Sequence, residues 1–442
     1  MEKKLLFKIA LKIRGKDYSK QYKEIKSIKT KDDLIRVQNK YLENLILHSY
    51  YNVPYYRKIF GEINIVKNNQ VDLSKFGKIP ILTKDLIRKN QKDLISKDYK
   101  KRKHYWNSSG GSTGEPLKLL QDETYRKWSN ATEAYYYNNM LNINERIVKK
   151  ILLWGSERDL FEGSIGFRAK ISNWLNNRIT LNSFKMTEKD IKSYIDIINS
   201  SKPKLIRGYA GSLYELCKYA ERKNLKIYTP KILISAAETL RDEMREKIEK
   251  IFKTKLYDFY GSREVGAMAG ECKNNFMHIF MFNNYMEILD MNNQPAEEGK
   301  IIITNLHNYS MPLIRYEIGD TAIGDPKQCQ CKNILPTLKK ITGRITDHFV
   351  LKDETLIYGE YFTHLFYLKE WVKTFQVIQE DYEKIKILMV LEKKINTNDK
   401  KDIENKIRLV MGQNCQINWE FVKDIPKTPQ GKHLYTKSLI FK

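Results

Sequence analysis

Apolar positions along the chain alternate between short runs typical of β-strands and longer stretches typical of amphipathic helices. The β-rich runs lie at residues 147–154, 205–206, 231–235 and 255–260. Between them, Thr187 and Asp190 form a capping-box pattern that opens a helix ending before Pro203. Further helices are predicted at 211–223 and 239–252. Strands separated by helices of this length predict parallel βαβ units, which bind ligands beyond the carboxyl ends of their strands.

The pattern changes towards both ends of the chain. Residues 1–60 interleave Lys and Glu with Leu and Ile and predict helices. After Gly343-Arg344 the predicted elements are two strands, a helix and a last strand, at 375–379, 384–391, 397–410 and 416–422. We therefore predict an α/β protein with a large N-terminal domain of βαβ-type sheets, residues 1–345, and a small α+β C-terminal domain, residues 346–442.

Composition limits the class of protein. The chain has 442 residues, of which 41% are hydrophobic. This length is too great for one ordinary hydrophobic core and predicts two domains. No apolar run reaches the length of a membrane span. The basic N-terminus lacks both a clean apolar segment and a small-residue cleavage site, so it does not read as a secretory signal. Five cysteines are an odd and sparse number, which argues against a secreted disulfide scaffold. We predict a cytoplasmic protein.

The formal net charge of +26 raises a nucleic-acid hypothesis. The lysines are scattered over the whole chain without a zinc-finger or RNP motif, which favours a solvated basic surface and no nucleic-acid partner. Steeply salt-sensitive retention on DNA would mark the alternative.

A helix is predicted at the N-terminus, with the apolar residues Leu5, Leu6, Ile9 and Ile13. It either packs on the large domain or makes peripheral contact with a membrane.

The densest cluster of small and hydroxyl residues runs from Asn107 to Lys118. Its glycines let several backbone N–H groups converge and its hydroxyls add donors, which suits a phosphate chain. The alternative is a Gly/Ser-rich linker. No Gly-Lys-Ser/Thr follows, so it is not a Walker P-loop. Four motifs come later in the chain: Tyr260-Gly261-Ser262-Arg263-Glu264, Arg315-Tyr316-Glu317-Ile318-Gly319-Asp320, Gly343-Arg344-Ile345-Thr346-Asp347 and Pro426-Lys427-Thr428-Pro429-Gln430-Gly431-Lys432.

This ordered set resembles the acyl-adenylate-forming superfamily, and within it the phenylacetate–CoA ligase family with its capsule-polysaccharide-associated branch. Two further phrases add to the resemblance, Val53-Pro54-Tyr55-Tyr56-Arg57 and Ile79-Pro80-Ile81-Leu82-Thr83-Lys84-Asp85. The resemblance implies that ATP and Mg²⁺ activate a carboxylic acid to an acyl-AMP, which passes to a thiol acceptor, by default coenzyme A. The alternative is amide or ester formation on an amine or hydroxyl in surface-polysaccharide biosynthesis.

The resemblance also implies roles for the motif residues. The reacting partners are both anions, so catalysis rests on positioning and charge neutralisation. The catalytic residues are Lys432, Glu264 and Thr113, with Lys432 at the α-phosphate and Glu264 holding Mg²⁺. Asp320 chelates the ribose hydroxyls. The mobile C-terminal domain rotates between half-reactions about Asp347. Taken singly, Glu264 also fits a helix N-terminal acid, Asp320 a turn residue and Lys432 a solvated lysine.

The remaining nucleotide-binding residues follow from the same resemblance. Donors to the phosphates come from Ser108, Ser109, Gly110, Gly111, Ser112, Thr113 and Gly114. The adenine and ribose are flanked by Ala237, Glu238, Asp258, Phe259, Tyr260, Gly261, Ser262 and Arg344. Two positions depart from the family pattern: Leu117 stands where relatives often carry Lys, and Arg263 where they often carry Thr or Ser.

The acid pocket is implied only by the resemblance. Its residues are aromatic or small: Trp154, Tyr209, Ala210, Ala236, Phe259, Gly266 and Ala267. Such a set fits a flat apolar acid and equally an ordinary core lining. It does not choose between aryl, short acyl and amino acids.

A second metal site is predicted beside the nucleotide motifs. Cys272 and His278 follow the Tyr-Gly-Ser-Arg-Glu motif, and Cys329 and Cys331 follow Asp320. Three thiolates with one imidazole are a common structural Zn²⁺ set. The alternative is that each cysteine packs as a small buried hydrophobe, since Cys-x-Cys is tighter than the usual spacing.

Overall fold

The computed structural model describes residues 17–108, 117–155, 173–174, 176–290, 292–325, 329–331, 333–342, 349–353, 355–357, 359–366, 369, 371–426 and 434–440. Several predicted features lie outside these residues: the N-terminal helix at residues 5–13, Ser109 to Gly114, Arg344, Asp347 and Lys432. The chain divides into two compact units. One is drawn from residues 1–109, 117–147 and 257–343, the other from residues 110–116, 148–256 and 344–442. The predicted domain boundary at residues 345–346 stays a prediction.

The first unit begins with helices. They are α1 (Ser19–Ser27), α2 (Lys31–Asn52), α3 (Pro54–Ile63), α4 (Lys84–Lys89), α5 (Gln91–Leu94) and α6 (Glu123–Tyr135), with a π-helical turn at Tyr136–Met140 and 3₁₀ turns at Leu73–Lys78 and Tyr99–Lys101. A capping box between Thr30 and Asp33 starts α2. At its end α3 turns into the left-handed conformation of Asn64, whose φ is 52°. Helix α2 falls within the region predicted as helical, residues 1–60, and α3 begins in it and continues to Ile63.

The strands of the first unit form one long antiparallel ladder and two hairpins. The hairpins pair β1 (Val66–Lys67) with β2 (Gln70–Val71) and β3 (His104–Ser108) with β4 (Lys118–Asp122). The ladder strands are β10 (Leu256–Ser262), β11 (Gly266–Glu271), β12 (Met277–Ile279), β13 (Asn284–Leu289), β14 (Glu298–Asn305), β15 (Tyr316–Gly324) and β16 (Thr337–Thr342). Their spatial order is β13-β14-β15-β16-β12-β11-β10. Leu45, Phe60, Ile301 and Ile303 belong to the apolar core that joins helices and ladder.

The second unit contains the predicted βαβ units. Its strands β5 (Lys150–Trp154), β6 (Arg178–Asn182), β8 (Leu205–Gly208) and β9 (Ile232–Ala236) pair in parallel in the order β9-β8-β5-β6. The intervening helices are α7 (Glu188–Ser201), α8 (Ala210–Arg222) and α9 (Asp242–Phe252). The predicted capping box of Thr187 and Asp190 opens α7. Ile151, Ile206 and Leu213 share the core between strands and helices. The α/β prediction is confirmed.

The C-terminal α+β elements also belong to the second unit. They are β17 (Phe349–Val350), β18 (Leu356–Ile357), α10 (Gly359–Leu365), β19 (Val372–Asp381), β20 (Lys384–Leu391), α11 (Thr397–Met411), β21 (Gln416–Phe421) and β22 (Thr436–Ser438). A four-stranded sheet has the order β21-β20-β19-β22, and β18 pairs with both β17 and β7 (Lys185–Met186). Phe184 and Tyr209 join Phe349 and Phe362 in one apolar cluster.

Across the described helices, none combines the length and the apolar character that crossing a membrane requires.

One buried histidine makes the first unit sensitive to acid. The rings of His307 and Trp128 stack with centroids 3.9 Å apart and an interplanar angle of 2°. Nε2 of His307 lies 2.8 Å from the Phe282 carbonyl oxygen. Burial, opposed by that hydrogen bond, lowers the pKa of His307 to about 3. Its neutral form therefore stabilises the fold above the unfolded-state pKa of about 6.5, and this contribution is lost as pH falls from there towards 3.

We predict that His307→Gln flattens the pH dependence of unfolding. Between pH 6.5 and 5, the parent should lose up to about 1.4 kcal/mol per pH unit from this one group, and the variant should lose that much less. Urea unfolding followed by circular dichroism gives the slopes. His104→Gln, at an exposed position, is the control and should keep the parent slope. Equal slopes in H307Q and the parent would mean that His307 takes up a proton without unfolding.

Candidate functional site

The β3–β4 hairpin leads into and out of the predicted phosphate loop. Ser108 pairs with Lys118 at the end of the hairpin, and residues 109–116, which join the two strands along the chain, lie outside the described residues. The Asn107 side-chain oxygen accepts the Ser108 backbone N–H at 2.9 Å. Leu117 is buried and Lys118 is exposed. The described strands therefore place Ser108 and Lys118 side by side at the entrance to the loop.

Glu264 lies in the tight turn between β10 and β11. Ser262 pairs with Gly266, so three residues, 263–265, form the connection. Gly266 has φ +75°, a conformation that three-residue hairpin loops favour at this position, and a Cβ there would meet Ser129 Oγ at 2.8 Å. Glu264 does not start a helix, so the alternative of a helix N-terminal acid is wrong. The turn is buried: Glu264 is 6% exposed and Val265 is 0% exposed.

Side chains from distant segments hold the backbone carbonyls of this turn. Gln121 Nε2 donates to the carbonyls of Arg263 at 2.7 Å and Glu264 at 3.3 Å. Asn305 Nδ2 donates to the Val265 carbonyl at 3.1 Å. The remaining donors are Tyr125, to Arg263 O, and Asn283 and Asn284, both to Ala267 O. Buried carbonyls need such donors, so the backbone around Glu264 is fixed from several sides.

The Glu264 carboxylate is available to bind a ligand. Among the residues that the structure describes, its side-chain oxygens have no hydrogen-bond donor and no cationic partner. A carboxylate that has no partner in the protein keeps its oxygen lone pairs available to a cation. A hard cation such as Mg²⁺ prefers oxygen ligands of this kind. The residues present at this turn therefore fit a magnesium ion.

Tyr260 of β10 and Asp320 of β15 lie within hydrogen-bond distance, although three strands separate β10 from β15 in the ladder. The Tyr260 hydroxyl donates to Asp320 Oδ2 at 2.7 Å. Gly319, with φ +95°, precedes Asp320 inside β15, so Asp320 belongs to a strand rather than to the turn of the alternative interpretation. The bond fixes the orientation of a carboxylate that is suited to two ribose hydroxyls.

The other predicted residues of the first unit lie along β10 and β11. Asp258 donates its backbone N–H to Glu271 Oε2 at 2.8 Å, and its side chain accepts the Phe259 N–H at 3.0 Å. Phe259 is 4% exposed. Gly261 pairs with Ala267, next to the bulge at Tyr260. Ser262 Oγ accepts the Val265 N–H at 3.3 Å and so helps to close the turn.

The predicted residues of the second unit cluster at the carboxyl ends of its parallel strands. The Trp154 and Tyr209 rings stack with centroids 4.6 Å apart. Ala236 ends β9 and Ala210 begins α8, and both are buried. Four of the predicted acid-pocket residues therefore lie at this end of the parallel strands, and the other three, Phe259, Gly266 and Ala267, belong to the first unit.

Ala237 and Glu238 follow β9. Ala237 has φ +67°, an uncommon conformation for a residue with a Cβ and one that recurs at functional sites. Glu238 Oε2 accepts the Gly211 N–H at 2.7 Å. The Glu238 carboxylate therefore pairs one backbone N–H in the first turn of α8, whose N-cap residue Tyr209 offers no side-chain cap.

The four predicted zinc ligands converge in the first unit. One ligand atom from each residue lies within 4.8 Å of all the others. Cys272 Sγ is 3.5 Å from Cys329 Sγ, and Cys331 Sγ is 3.3 Å from His278 Nε2. Zn–S bonds of about 2.3 Å and Zn–N bonds of about 2.0 Å give tetrahedral ligand separations close to these values. The donor set and its spacing fit a structural zinc ion.

Surrounding groups orient these ligands. His278 Nδ1 lies 3.0 Å from the Leu335 carbonyl oxygen, which directs Nε2 towards the sulfur atoms. The Asn274 backbone N–H donates to Cys272 Sγ at 3.4 Å. Burial, with smaller contributions from the neighbouring thiols, raises the pKa of Cys331 to about 12. Zinc would displace that proton, since only the thiolate binds.

The amide side chains that hold the Glu264 turn were not found by reasoning from the sequence. Gln121 and Asn305 precede or follow the turn by many residues and belong to no short motif. Gln121 sits in a hydrophobic strand, Leu119-Leu120-Gln121, and an amide in that setting is the signal that could have drawn attention to it.

Comparisons with known proteins agree with this geometry. A family model described as CapK C-terminal domain matches residues 349–438. Protein CapK from Staphylococcus aureus is 26% identical over 96% of this chain and 95% of its own length. Phenylacetate-coenzyme A ligase from Thermus thermophilus is 22% identical over 79% of this chain and 78% of its own length.

A solved structure of 2-hydroxyisobutyryl-CoA ligase, in complex with 2-HIB-AMP and CoA in the thioesterification state, matches with a TM-score of 0.56 and 16% identity. The match covers 92% of this chain and 90% of that chain. Its open conformation matches with a TM-score of 0.55 over 90% of both chains. The protein is an adenylate-forming ligase. The sequence matches confirm the predicted resemblance to the phenylacetate–CoA ligase family and to its branch with protein CapK.

We expect protein purified without chelator to contain about one zinc ion per chain. Cys329→Ser and Cys331→Ser should lower the zinc content and the melting temperature together, because the metal joins two otherwise separate loops. Atomic emission spectroscopy and thermal unfolding measure both. Cys415→Ser, at a buried cysteine outside the cluster, is the control and should keep its zinc. Zinc-free protein, with the three variants melting alike, would show that the cluster only packs.

Proposed function

We propose that the protein uses ATP and Mg²⁺ to convert a carboxylic acid into an acyl-AMP and then transfers the acyl group to the thiol of coenzyme A. The observation that carries this proposal is the Glu264 carboxylate, which lies on a fixed, buried turn and has no hydrogen-bond or ion-pair partner among the described residues. The phenylacetate-coenzyme A ligases among the relatives support the choice of reaction and of acceptor.

The residues of this chain would divide the work of adenylation. Glu264 would hold Mg²⁺, which offsets the charge of the phosphates when it is bound. Asp320, oriented by the Tyr260 hydroxyl, would accept hydrogen bonds from the ribose hydroxyls. The hydroxyl and backbone donors of Ser108 to Gly114 would bind the phosphates. Lys432 would stabilise the charge that develops at the α-phosphate.

The acid would bind at the carboxyl ends of the parallel strands, beside the stacked rings of Trp154 and Tyr209. These rings offer flat apolar surface. The acid is therefore proposed to be small and largely apolar.

A second candidate function replaces coenzyme A by an amine or hydroxyl acceptor in surface-polysaccharide biosynthesis. The observation that favours it is the match of residues 349–438 to the CapK C-terminal domain. By the family resemblance, the C-terminal domain carries Lys432 and rotates between the half-reactions. A C-terminal domain of the CapK type therefore bears on which acceptor is used in the second half-reaction.

Acid-dependent exchange of pyrophosphate into ATP tests the first half-reaction. A panel of aryl, short acyl and amino acids should contain at least one acid that supports exchange. With that acid alone, pyrophosphate release should stop after about one turnover, because the acyl-AMP stays bound. AMP release should begin and continue when coenzyme A is added, because the acceptor takes the acyl group and frees the AMP. Continuous release with an amine or a hydroxyl acceptor alone would favour the second candidate. Absence of exchange with every acid would contradict both.

Lys432→Ala should slow pyrophosphate exchange on the order of 100-fold or more, because it removes a contact made in the transition state. The folded fraction and the melting temperature should stay close to those of the parent. Lys437→Ala is a matched control, since Lys437 is an exposed lysine a few residues further along the chain, and it should exchange at the parent rate. Undiminished exchange in K432A would remove Lys432 from the mechanism.

A further inference from the structure

Gln121 occupies an unusual place in the first unit. It belongs to β4, which leaves the predicted phosphate loop, and it is 0% exposed. Burying a primary amide is costly unless both of its ends find partners. Gln121 finds them in two segments that the proposed function uses, β3 on one side and the Glu264 turn on the other.

The hydrogen bonds form a continuous relay. The Ser108 N–H donates to Asn107 Oδ1 at 2.9 Å. Asn107 Nδ2 donates to Gln121 Oε1, also at 2.9 Å. Gln121 Nε2 then donates to the carbonyls of Arg263 at 2.7 Å and Glu264 at 3.3 Å. Every donor in this series meets an acceptor, so the order of the bonds fixes the orientation of both amides.

The relay joins the two features that must act on one ligand. At one end lies Ser108, the first of the predicted phosphate donors, and at the other lies the residue predicted to hold Mg²⁺. The metal and the phosphates bind as one Mg·ATP complex, so small errors in the spacing between these features reduce affinity. Among the described residues, the Gln121 amide joins β3 directly to the turn and so contributes to that spacing.

We propose that Gln121 is a positioning residue for Mg·ATP, which acts by keeping the Glu264 carboxylate in register with the entrance of the phosphate loop. The inference rests on the proposed function. It extends that function by assigning a role to a residue outside every recognised motif. Gln121 acts through its neighbours and not by contact with the nucleotide.

The chain offers a matched control for the loss of a buried glutamine. Gln38 in α2 is 4% exposed, and its Nε2 also donates to two backbone carbonyls, those of Met281 and Asn284, both at 3.1 Å. Gln38→Met and Gln121→Met therefore remove the same group from similar surroundings within one unit. Both should lower the melting temperature.

The test is the gain in ATP affinity that Mg²⁺ provides, measured by isothermal titration calorimetry with ATP in Mg²⁺ and in EDTA. In Q121M this gain should fall by about tenfold, as expected for losing the register of one ligand, while binding in EDTA changes little. Q38M should keep the parent gain. Glu264→Gln should lose most of this gain in ATP affinity, and its loss gives the largest effect expected from disturbing the metal ligand. No acid substrate is needed.

A double-mutant cycle tests the relay itself. Asn107→Ala should reduce the Mg²⁺-dependent gain, and N107A combined with Q121M should be no worse than Q121M alone, because both changes break one chain of bonds. If the parent binds ATP with no gain from Mg²⁺, the proposed function fails. If the parent shows the gain and Q121M matches Q38M, the positioning role of Gln121 is wrong while the proposed function stands. If the effects of N107A and Q121M simply add, Gln121 does not act through Asn107 and the relay is wrong.

Discussion

Backbone carbonyls buried at the turn between β10 and β11 impose the constraint on which the candidate site depends. A buried carbonyl must be paired, and here the donors are side chains of Gln121, Asn305 and their neighbours rather than the backbone of a regular element. The turn can therefore stay buried while it presents a carboxylate. The same donors link the turn to segments far apart in sequence. The position of Glu264 therefore depends on the correct packing of those segments.

Strand β11 links this turn to the sulfur cluster. It begins at Gly266, just after the turn, and ends at Glu271, one residue before Cys272. A strand of this length spans about 20 Å, so the two sites are separate in space but share one rigid element. A zinc ion at the far end would fix β11 against β12 and thereby restrain the strand that follows the Glu264 turn. We infer a structural and not a chemical role for that ion, because its four protein ligands leave no open position.

Local patterns predicted much of the second unit. The capping box at Thr187 and Asp190 opens α7 as expected, and the strand run at 231–235 corresponds to β9, Ile232–Ala236. These elements were readable because periodicity and capping depend on neighbours in sequence. The antiparallel ladder of the first unit was not predicted, since its pairing depends on contacts such as that of β12 with β16, which lie about sixty residues apart.

The candidate site shows the same division. The motifs drew attention to Glu264, Asp320 and the Cys/His cluster, because their residue types are chemically distinctive. They did not show that Tyr260 bonds to Asp320, or that Gln121 reaches the turn, because amide and hydroxyl side chains are common and their partners are set by the fold. Glu238 was predicted beside adenine, and its carboxylate accepts the Gly211 N–H at the start of α8.

The most direct test of the account is the position of the metal. Crystals of the full chain grown with Mn²⁺ and α,β-methylene-ATP, which cannot transfer its adenylyl group, would reveal the ion by anomalous scattering. The account predicts an anomalous peak within bonding distance of the Glu264 carboxylate and of the nucleotide phosphates, with the ribose against Asp320. A nucleotide bound with its metal away from Glu264 would contradict it.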